Sequence, residues 1–296
     1  MKSQTLIIET HRVPEQVEKQ RLQEYAVGIF RTLSSRKATK NAIKKGLIRI
    51  NSEIGYTGDW IDGGEIIELF EGTQTKKPLV DFKLKVLFED EFLAVVYKPA
   101  GIMVSGNKRF TIENALGLNL NKSKENDALK RPEPIHRLDY PTTGALLVGK
   151  TVSAVQLLNK MFEERRIDKT YYAVCMGIIP DHGTINNPID EKKAKSEYWN
   201  KASILSERFK QLNLVRLNPH TGRRHQLRKH LYSIGNPILG DSDYHIQGLL
   251  LKGNGLYLHA RSLEFMHPLN GQEVKVEAIF PKKFKRLFAQ LDELTT

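Results

Sequence analysis

Cysteine is almost absent from this chain of 296 residues, because Cys175 is the only one. A single thiol excludes a disulfide within the chain, and it fits a protein of a reducing compartment, so we expect a cytoplasmic location. Cysteine–histidine spacings of the zinc-binding kind are missing as well, as are a phosphate-binding glycine loop and internal repeats. The sequence therefore predicts no metal site.

Long hydrophobic runs are missing too. No apolar run approaches the roughly 18 residues that a membrane-spanning helix needs. Met1 to Thr10 contain one lysine and too short an apolar centre for a signal peptide. We therefore expect neither a membrane-spanning segment nor a secretion signal.

Positive charge, by contrast, is abundant. The chain has 46 lysines and arginines against 34 aspartates and glutamates, a formal net charge of +12, and a pI near 9.5. This balance favours a polyanionic partner, either nucleic acid or a membrane surface. A length of 296 residues is typical of two domains.

The first predicted domain covers residues 14–70 and opens with two helices. Helical spacing of apolar residues predicts a helix over Val17–Leu33. A second helix is expected over Lys37–Lys45, capped by Ser34 or Ser35 and ended by Gly46. Basic residues crowd this second helix and its edges, and the candidates for phosphate contact are Arg36, Lys37, Lys40 and Lys44. A solvated face that only keeps the protein soluble is the alternative.

The second predicted domain covers residues 83–296, after a polar linker at 71–82. Many strand patterns divided by few helices predict an α+β fold, with a largely antiparallel mixed sheet and flanking helices. The main expected elements are a hairpin of Leu84–Phe88 with Phe92–Tyr97, a mobile loop at Asn119–Pro134, a helix from Thr151 to Arg165, a type I′ turn at Asn270-Gly271 and a final helix over Pro281–Leu291.

Charged side chains are concentrated in the stretch from His136 to Gly144, which reads His-Arg-Leu-Asp-Tyr-Pro-Thr-Thr-Gly. Pro141 restricts both its own backbone and that of Tyr140, so the segment is extended and enters a turn. An apolar run, Ala145–Val148, follows and is predicted to be a buried strand. A reactive Asp139 held by a rigid strand is one interpretation, and a simple turn aspartate is the other.

A second polar segment, Thr221–His230, is predicted to enter a helix that ends at Gly235. Arg224 and Arg228 are four residues apart and would share a face of that helix. Their like charges would repel, which indicates an anion between them, although a solvated face is again the alternative.

These segments together resemble the RluA-type pseudouridine synthases, which isomerise uridine in RNA without a cofactor. His136-Arg137-Leu138-Asp139 with Thr142-Thr143-Gly144 is similar to the signature loop of that family, where Thr-Ser usually precedes the glycine. The resemblance extends to the segments Lys98-Pro99-Ala100-Gly101, Lys169-Thr170-Tyr171, Gly222–Arg228 and Gly240–Tyr244.

The resemblance implies roles for individual residues. Asp139 would be catalytic, Tyr171 would lie against the target base, and Arg228 would pair with Asp139. Substrate contacts are expected from His136, Arg137, Arg224 and Lys98. From its strand pattern alone, an ordinary core aromatic is the preferred interpretation of Tyr171.

The pattern around the basic helix, from Ser35 to Asn51 and then Asp62-Gly63-Gly64-Glu65, resembles the ribosomal-S4-type RNA-binding module. That module commonly precedes RluA-type catalytic domains. The combined prediction is a monomeric enzyme that converts specific uridines of ribosomal or transfer RNA to pseudouridine.

Two other classes of protein are compatible with parts of the sequence. A glycosidase or nucleosidase would use a pair of carboxylates, with Asp241 as a second acid, and would release free uracil. A non-catalytic RNA-binding protein would account for the charge, but it would leave Asp139, Tyr171 and Arg228 without a role. The sequence does not decide whether Asp139 attacks the anomeric carbon or removes a sugar proton.

Overall fold

The computed structural model describes residues 6–33, 35–71 and 79–294. Residues 6–71 form a first unit with its own apolar core around Leu22, Ile48 and Ile67. A four-stranded antiparallel sheet in the order β1-β6-β3-β4 and a two-stranded β2-β5 pair support this core. The elements of the unit are β1 (Ile7–Arg12), β2 (Gln20–Arg21), α1 (Leu22–Tyr25), α2 (Arg36–Lys44), β3 (Ile48–Ile50), β4 (Glu53–Ile54), β5 (Trp60–Ile61) and β6 (Ile66–Phe70).

Helix α2 is the basic helix that the sequence predicts. The hydroxyl of Ser35 accepts a hydrogen bond from the Ala38 amide, and Gly46 follows the helix with φ of +66°. The helix buries Thr39, Ala42 and Ile43. Its basic side chains are exposed, and these are Arg36, Lys37, Lys40 and Lys44.

The predicted helix over Val17–Leu33 is wrong. Only Leu22–Tyr25 is helical, because the backbone before it pairs with Trp60–Ile61 and Gly28, with φ of +85°, turns the chain after it. The predicted start of the unit at residue 14 is also too late, since β1 pairs along β6.

The second unit is built on a mixed sheet of ten strands. Its elements are β7 (Lys85–Glu89), β8 (Leu93–Lys98), α3 (Ile112–Asn119), β9 (Ala128–Pro134), β10 (Thr143–Thr151), α4 (Val152–Glu163), β11 (Asp168–Met176), β12 (His182–Ile185), β13 (Ser196–Ser206), β14 (Lys210–Pro219), α5 (Gln226–Ser233), β15 (Leu258–Met266), β16 (Glu273–Glu277), α6 (Lys282–Leu287) and α7 (Leu291–Leu294). The strand order is β12-β13-β14-β11-β15-β10-β8-β7, with β9 beside β10 and β16 beside β15.

The pairing of β10 with β15 is parallel, whereas the other strand pairs of the sheet are antiparallel. The predicted α+β class with a largely antiparallel sheet is therefore confirmed. Gly144 makes the parallel contact possible, because a Cβ at this position would lie 2.1 Å from the carbonyl oxygen of Ala260. Its φ of +122° also favours glycine. The start of β10, and with it the signature loop, is thereby fixed at the centre of the sheet.

Two regions near the start of the second unit differ from prediction. Residues 72–78 of the predicted linker lie outside the described residues, and Val80 is already buried against the second unit, with its amide bonded to the Asn114 carbonyl. The expected mobile loop at Asn119–Pro134 contains strand β9, which pairs with β10.

The C-terminal region differs as well. The final helix is broken at Phe288, whose backbone is extended, so α6 and α7 are separate. The hairpin between β15 and β16 exists, but its loop spans 267–272 and only Gly271 has positive φ, so the turn is not type I′. None of the helices in the described ranges is long and apolar enough to span a membrane.

Candidate active site

The signature loop connects β9 to β10 and turns sharply at Asp139. The Thr142 amide donates to the Asp139 carbonyl at 3.0 Å, and the Gly101 amide donates to the Tyr140 carbonyl at 2.9 Å. The Lys98–Gly101 turn thus lies directly against the loop. Leu138 is buried beneath it, while the Asp139 side chain stays 17% exposed.

Lys98 supports the loop from below. Its ammonium group donates to the carbonyl oxygens of Pro99, Tyr140 and Thr142 at 2.9, 3.2 and 2.7 Å. The residue is fully buried, and this burial lowers the pKa of Lys98 to about 8 against the opposing effect of the Asp139 charge. With no exposed surface, Lys98 supports the loop in this structure and offers no surface for the predicted RNA contact.

His136 also holds the scaffold. Its Nε2 accepts the amide hydrogen of Leu147 at 3.0 Å, and its ring stacks on Phe162 with centroids 5.0 Å apart. Burial lowers the pKa of His136 to about 3, so the ring is neutral and acts as an acceptor. The half-buried ring lines the cavity that is described below.

Arg228, on α5, is the buried cation of the site. Its Nε and Nη2 donate to the two carboxylate oxygens of Asp241 at 2.7 and 2.6 Å, and Nη2 also lies 2.7 Å from Asp243. These carboxylates raise the pKa of Arg228 although its desolvation acts in the opposite direction. Asp139 is farther away, with Oδ2 3.7 Å from Arg228 Nη1.

The partner of Arg228 thus differs in part from the expectation. Arg228 forms its direct, two-bond pair with Asp241, whereas Asp139 lies farther away, beside the edge of the guanidinium. Asp241 is fully engaged, because its Oδ1 also accepts the amides of Asp243 and Tyr244. The Gly-Asp-x-x-Tyr pattern at 240–244 was the sequence signal for a functional aspartate here. The pattern does not show which side chain Asp241 pairs with.

Arg224 does not share a helical face with Arg228, so that prediction is wrong. Helix α5 begins at Gln226, and His225 before it is in the left-handed region with φ of 56°. Arg224 is exposed, whereas Arg228 is buried. The anions that neutralise Arg228 come from the protein itself.

Tyr171 lies on β11, just after a bulge in the pairing of β11 with β15. Burial, with a smaller effect from the Asp139 charge, raises the pKa of Tyr171, so its hydroxyl keeps its proton. The ring packs against buried residues of two apolar clusters and also lines the cavity.

These side chains surround a cavity of about 340 Å³. Its lining includes Asp139, Tyr171, Arg228, Arg137, Arg224 and His225. The exposed Arg137 and Arg224 contribute two positive charges to a lining that also holds the partly exposed carboxylate of Asp139. The fold therefore brings the catalytic candidates of three separate segments to one place, large enough for a small ring system.

Other candidates lie elsewhere. The basic residues of α2 belong to the first unit and do not line this cavity. His225, Tyr244 and Asp243 are parts of the site that the predicted residue set omits. Across the described ranges, no cluster of three or more histidine, cysteine or carboxylate side chains is arranged to hold a metal ion.

Known proteins that are similar to this chain are RNA pseudouridine synthases. A family model for RNA pseudouridylate synthase matches residues 92–233. The ribosomal large subunit pseudouridine synthase D of Xanthomonas campestris is 32% identical over 285 residues, which cover 88% of this chain and 85% of the relative. The tRNA pseudouridine synthase C of Haemophilus ducreyi is 32% identical over 238 residues, 70% of this chain and 96% of the relative.

A solved structure agrees in fold. Human RNA Pseudouridylate Synthase Domain Containing 4 superposes with a TM-score of 0.56 at 24% identity, covering 70% of this chain and 93% of the human one. The fold is thus that of the pseudouridylate synthase domains. With the sequence similarity over most of its length, the chain belongs to the RluA-type RNA pseudouridine synthases, which are isomerases.

Proposed function

We propose that this protein isomerises uridine to pseudouridine in the cavity around Asp139, with Asp139 as the catalytic carboxylate. The observation that carries the proposal is the meeting of Asp139, Tyr171 and Arg228 around one cavity. Asp139 is the carboxylate that remains accessible there. Asp241 is bound on both oxygens by Arg228.

The reaction breaks the bond between ribose C1′ and uracil N1 and forms a bond between C1′ and C5. Asp139 acts at the sugar, either by bonding to C1′ or by taking the 2′ proton. The protonated Tyr171 offers a flat ring, and stacking on an extruded base contributes about 1–3 kcal/mol. At the end C5 loses its proton to solvent and N1 gains one, so the RNA keeps its mass.

A nucleosidase fits this site less well. It would need a second carboxylate to activate water, and the sequence candidate was Asp241. The side chain of Asp241 is 0% exposed and its oxygens accept bonds from Arg228 and two backbone amides. Asp241 is therefore a poor general base.

The test is Asp139→Asn, which removes the charge and keeps the shape. RNA labelled with tritium at uracil C5 should release its label to solvent with the native enzyme and release none with the variant. RNA affinity should stay within a few-fold, because Arg137 and Arg224 are unchanged. A variant that keeps a tenth of the native rate would contradict the role of Asp139.

We propose large-subunit ribosomal RNA as the substrate. The relatives named for it align with 88–95% of this chain, whereas the relative named for transfer RNA aligns with 70%. Mapping of pseudouridines in cells with and without the protein should show loss in large-subunit ribosomal RNA. Loss in transfer RNA alone would contradict this assignment.

The first unit is proposed to act as a ribosomal-S4-type module that binds RNA phosphates through α2. Its exposed basic side chains support this role. We also propose that the protein is a monomer that acts in the cytoplasm without a cofactor.

A further inference from the structure

The Asp139 carboxylate is flanked by two nitrogen groups that do not yet bond to it. His225 Nε2 lies 3.8 Å from Oδ1, and Arg228 Nη1 lies 3.7 Å from Oδ2. Both distances exceed the usual 2.7–3.2 Å of such hydrogen bonds. Each carboxylate oxygen therefore faces its own nitrogen across a short gap, and such contacts commonly tighten when substrate is bound.

The two flanking groups are joined through Tyr244. Its hydroxyl is 3.0 Å from His225 Nδ1, with the rings edge to face, and its ring lies 5.0 Å from the Arg228 guanidinium carbon. The Tyr244 amide also donates to Asp241, the direct partner of Arg228. Tyr244 thus fixes the imidazole within the same network that fixes the guanidinium.

The backbone at His225 is unusual as well. With φ of 56° and ψ of 27°, it is left-handed immediately before α5 begins. Residues other than glycine adopt this region uncommonly, and histidine is among those that tolerate it. Such conformations cluster at functional sites.

The charge state of His225 follows from the groups that face it. Desolvation lowers its pKa most, Arg228 and Arg224 lower it further, and Asp139 and Asp243 raise it; the net shift is downward. The ring is therefore neutral at pH 7, with one N–H. If that hydrogen were on Nδ1, the lone pair of Nε2 would face the carboxylate, so the favourable form has Tyr244 donating to Nδ1 and Nε2–H facing Asp139.

We propose that His225, oriented by Tyr244, is a positioning residue that donates its Nε2–H to Oδ1 of Asp139 when substrate is bound. Together with Arg228 on Oδ2, this fixes the rotation of the carboxylate toward the ribose. The inference rests on the proposed function, because it presupposes that Asp139 is catalytic.

Three substitutions of His225 separate this role from a structural one. In His225→Gln, the amide nitrogen reaches about as far as Nε2 and can still donate to Asp139. In His225→Asn, the amide reaches only as far as Nδ1, but asparagine tolerates the left-handed backbone best. His225→Leu has neither property.

We expect the glutamine variant to keep most of the native kcat, and the asparagine and leucine variants to lose about 10- to 100-fold, the effect of one hydrogen bond to a charged group. KM and RNA affinity should stay within about twofold in all three. An asparagine variant as active as the glutamine one would overturn the proposal, because the histidine would then serve the backbone alone.

Tyr244→Phe tests the same inference without touching His225. It keeps the ring beside Arg228 and removes the hydroxyl, and we expect kcat to fall about tenfold at constant KM. Tyr232→Phe, with its ring 6.3 Å from that of Tyr244, is the matched control and should leave kcat unchanged. Native kcat in Tyr244→Phe would overturn the proposal even if the His225 variants failed to fold.

Asp139→Asn, measured in parallel, distinguishes a failure of the proposed function from a failure of the proposed role of His225. An active Asp139→Asn enzyme would remove the proposed function itself. An inactive one, combined with equal glutamine and asparagine variants at 225, would remove only the role of His225.

Discussion

At the scale of single residues, the site depends on a buried cation whose charge is balanced by carboxylates of the protein. Arg228 is only 2% exposed, and its guanidinium contacts Asp241 through two bonds and Asp243 through one. Burying a charge this deeply is costly unless it is paired and hydrogen-bonded. The network therefore fixes Arg228 before any substrate arrives and leaves Nη1 facing Asp139.

Arg228→Lys should be severely impaired although it conserves the charge. An ammonium cannot form the planar fork with Asp241, so we expect a loss of about 1.5–3 kcal/mol in the free energy of unfolding. The rate at saturating RNA should fall as well, because Asp139 loses the group beside Oδ2. Urea unfolding and tritium release would measure the two effects. Arg224→Lys, at an exposed position, is the control and should unfold like the native protein.

Lys98 gives the protein a dependence of stability on pH. Burial lowers its pKa to about 8 in the folded protein from 10.5, so between these values the unfolded chain holds a proton that the folded one has lost. Rising pH then disfavours unfolding, and this contribution to stability grows from about pH 8 upward.

The Lys98→Met variant lacks this contribution. From pH 8 to pH 10, the native protein should gain stability relative to Lys98→Met by up to about 1.4 kcal/mol per pH unit. Urea unfolding of both proteins at pH 7, 8, 9 and 10 would show it. Parallel curves would mean that Lys98 keeps its proton over this range and that burial does not lower its pKa to about 8.

At the scale of elements, local patterns predict those helices and strands whose signals lie within one segment. The buried run at 145–148 became β10, and Thr151 caps α4 through the Ala154 amide. Elements that depend on distant partners were missed. Strand β9 contains two prolines and exists through its pairing with β10, and α1 starts later than predicted because β2 pairs with β5.

In the candidate site, too, the sequence identifies residues within local motifs but misses contacts that depend on distant partners. The sequence identified Asp139, Tyr171, Arg228, Arg137 and Arg224, and the fold places all of them at one cavity. It could not reveal that Lys98 points inward to three carbonyls, since a lysine beside a proline turn gives no signal of burial. The direct pairing of Arg228 with Asp241 likewise depends on how α5 packs against the loop after it.

Helix α2 carries a prediction of its own. Replacing Arg36, Lys40 and Lys44 by alanine removes three exposed charges at helical spacing. If each contacts one phosphate of a single strand, the slope of log K against log salt should flatten by roughly 2, at about 0.7 per contact. Turnover at saturating RNA should change much less, because these residues do not line the cavity.

The matched control for the helix removes the same charge from the second unit. Lys201, Lys252 and Lys275 are exposed there, and their replacement by alanine should leave the salt slope of binding near the native value. Equal slopes for the two triple variants would mean that α2 contributes only to net charge and solubility.

At the scale of the whole molecule, the residues that line the cavity and those of the basic helix belong to separate units. The cavity is lined by residues between 136 and 258, whereas the exposed cations of α2 lie between 36 and 44. Each unit has its own buried apolar cluster. This division suits an enzyme that must hold a long polyanion while it acts on one nucleotide.

Deletion tests this division and also locates its boundary. Val80 and Leu84 are buried in the second unit, and the amides of both donate to α3, at Asn114 and Asn119. Removing Met1–Pro78 should therefore leave a folded, active unit with weaker RNA affinity and a flatter salt dependence.

Removing Met1–Leu84 takes away the same RNA contacts but also the two buried side chains, at about 1.5–3 kcal/mol each. The longer deletion should then be about 3–6 kcal/mol less stable by urea unfolding, with the same salt slope for any protein that remains folded. Equal stability of the two deletions would show that 79–84 is linker after all, and an unfolded product of the shorter deletion would show that the second unit depends on the first.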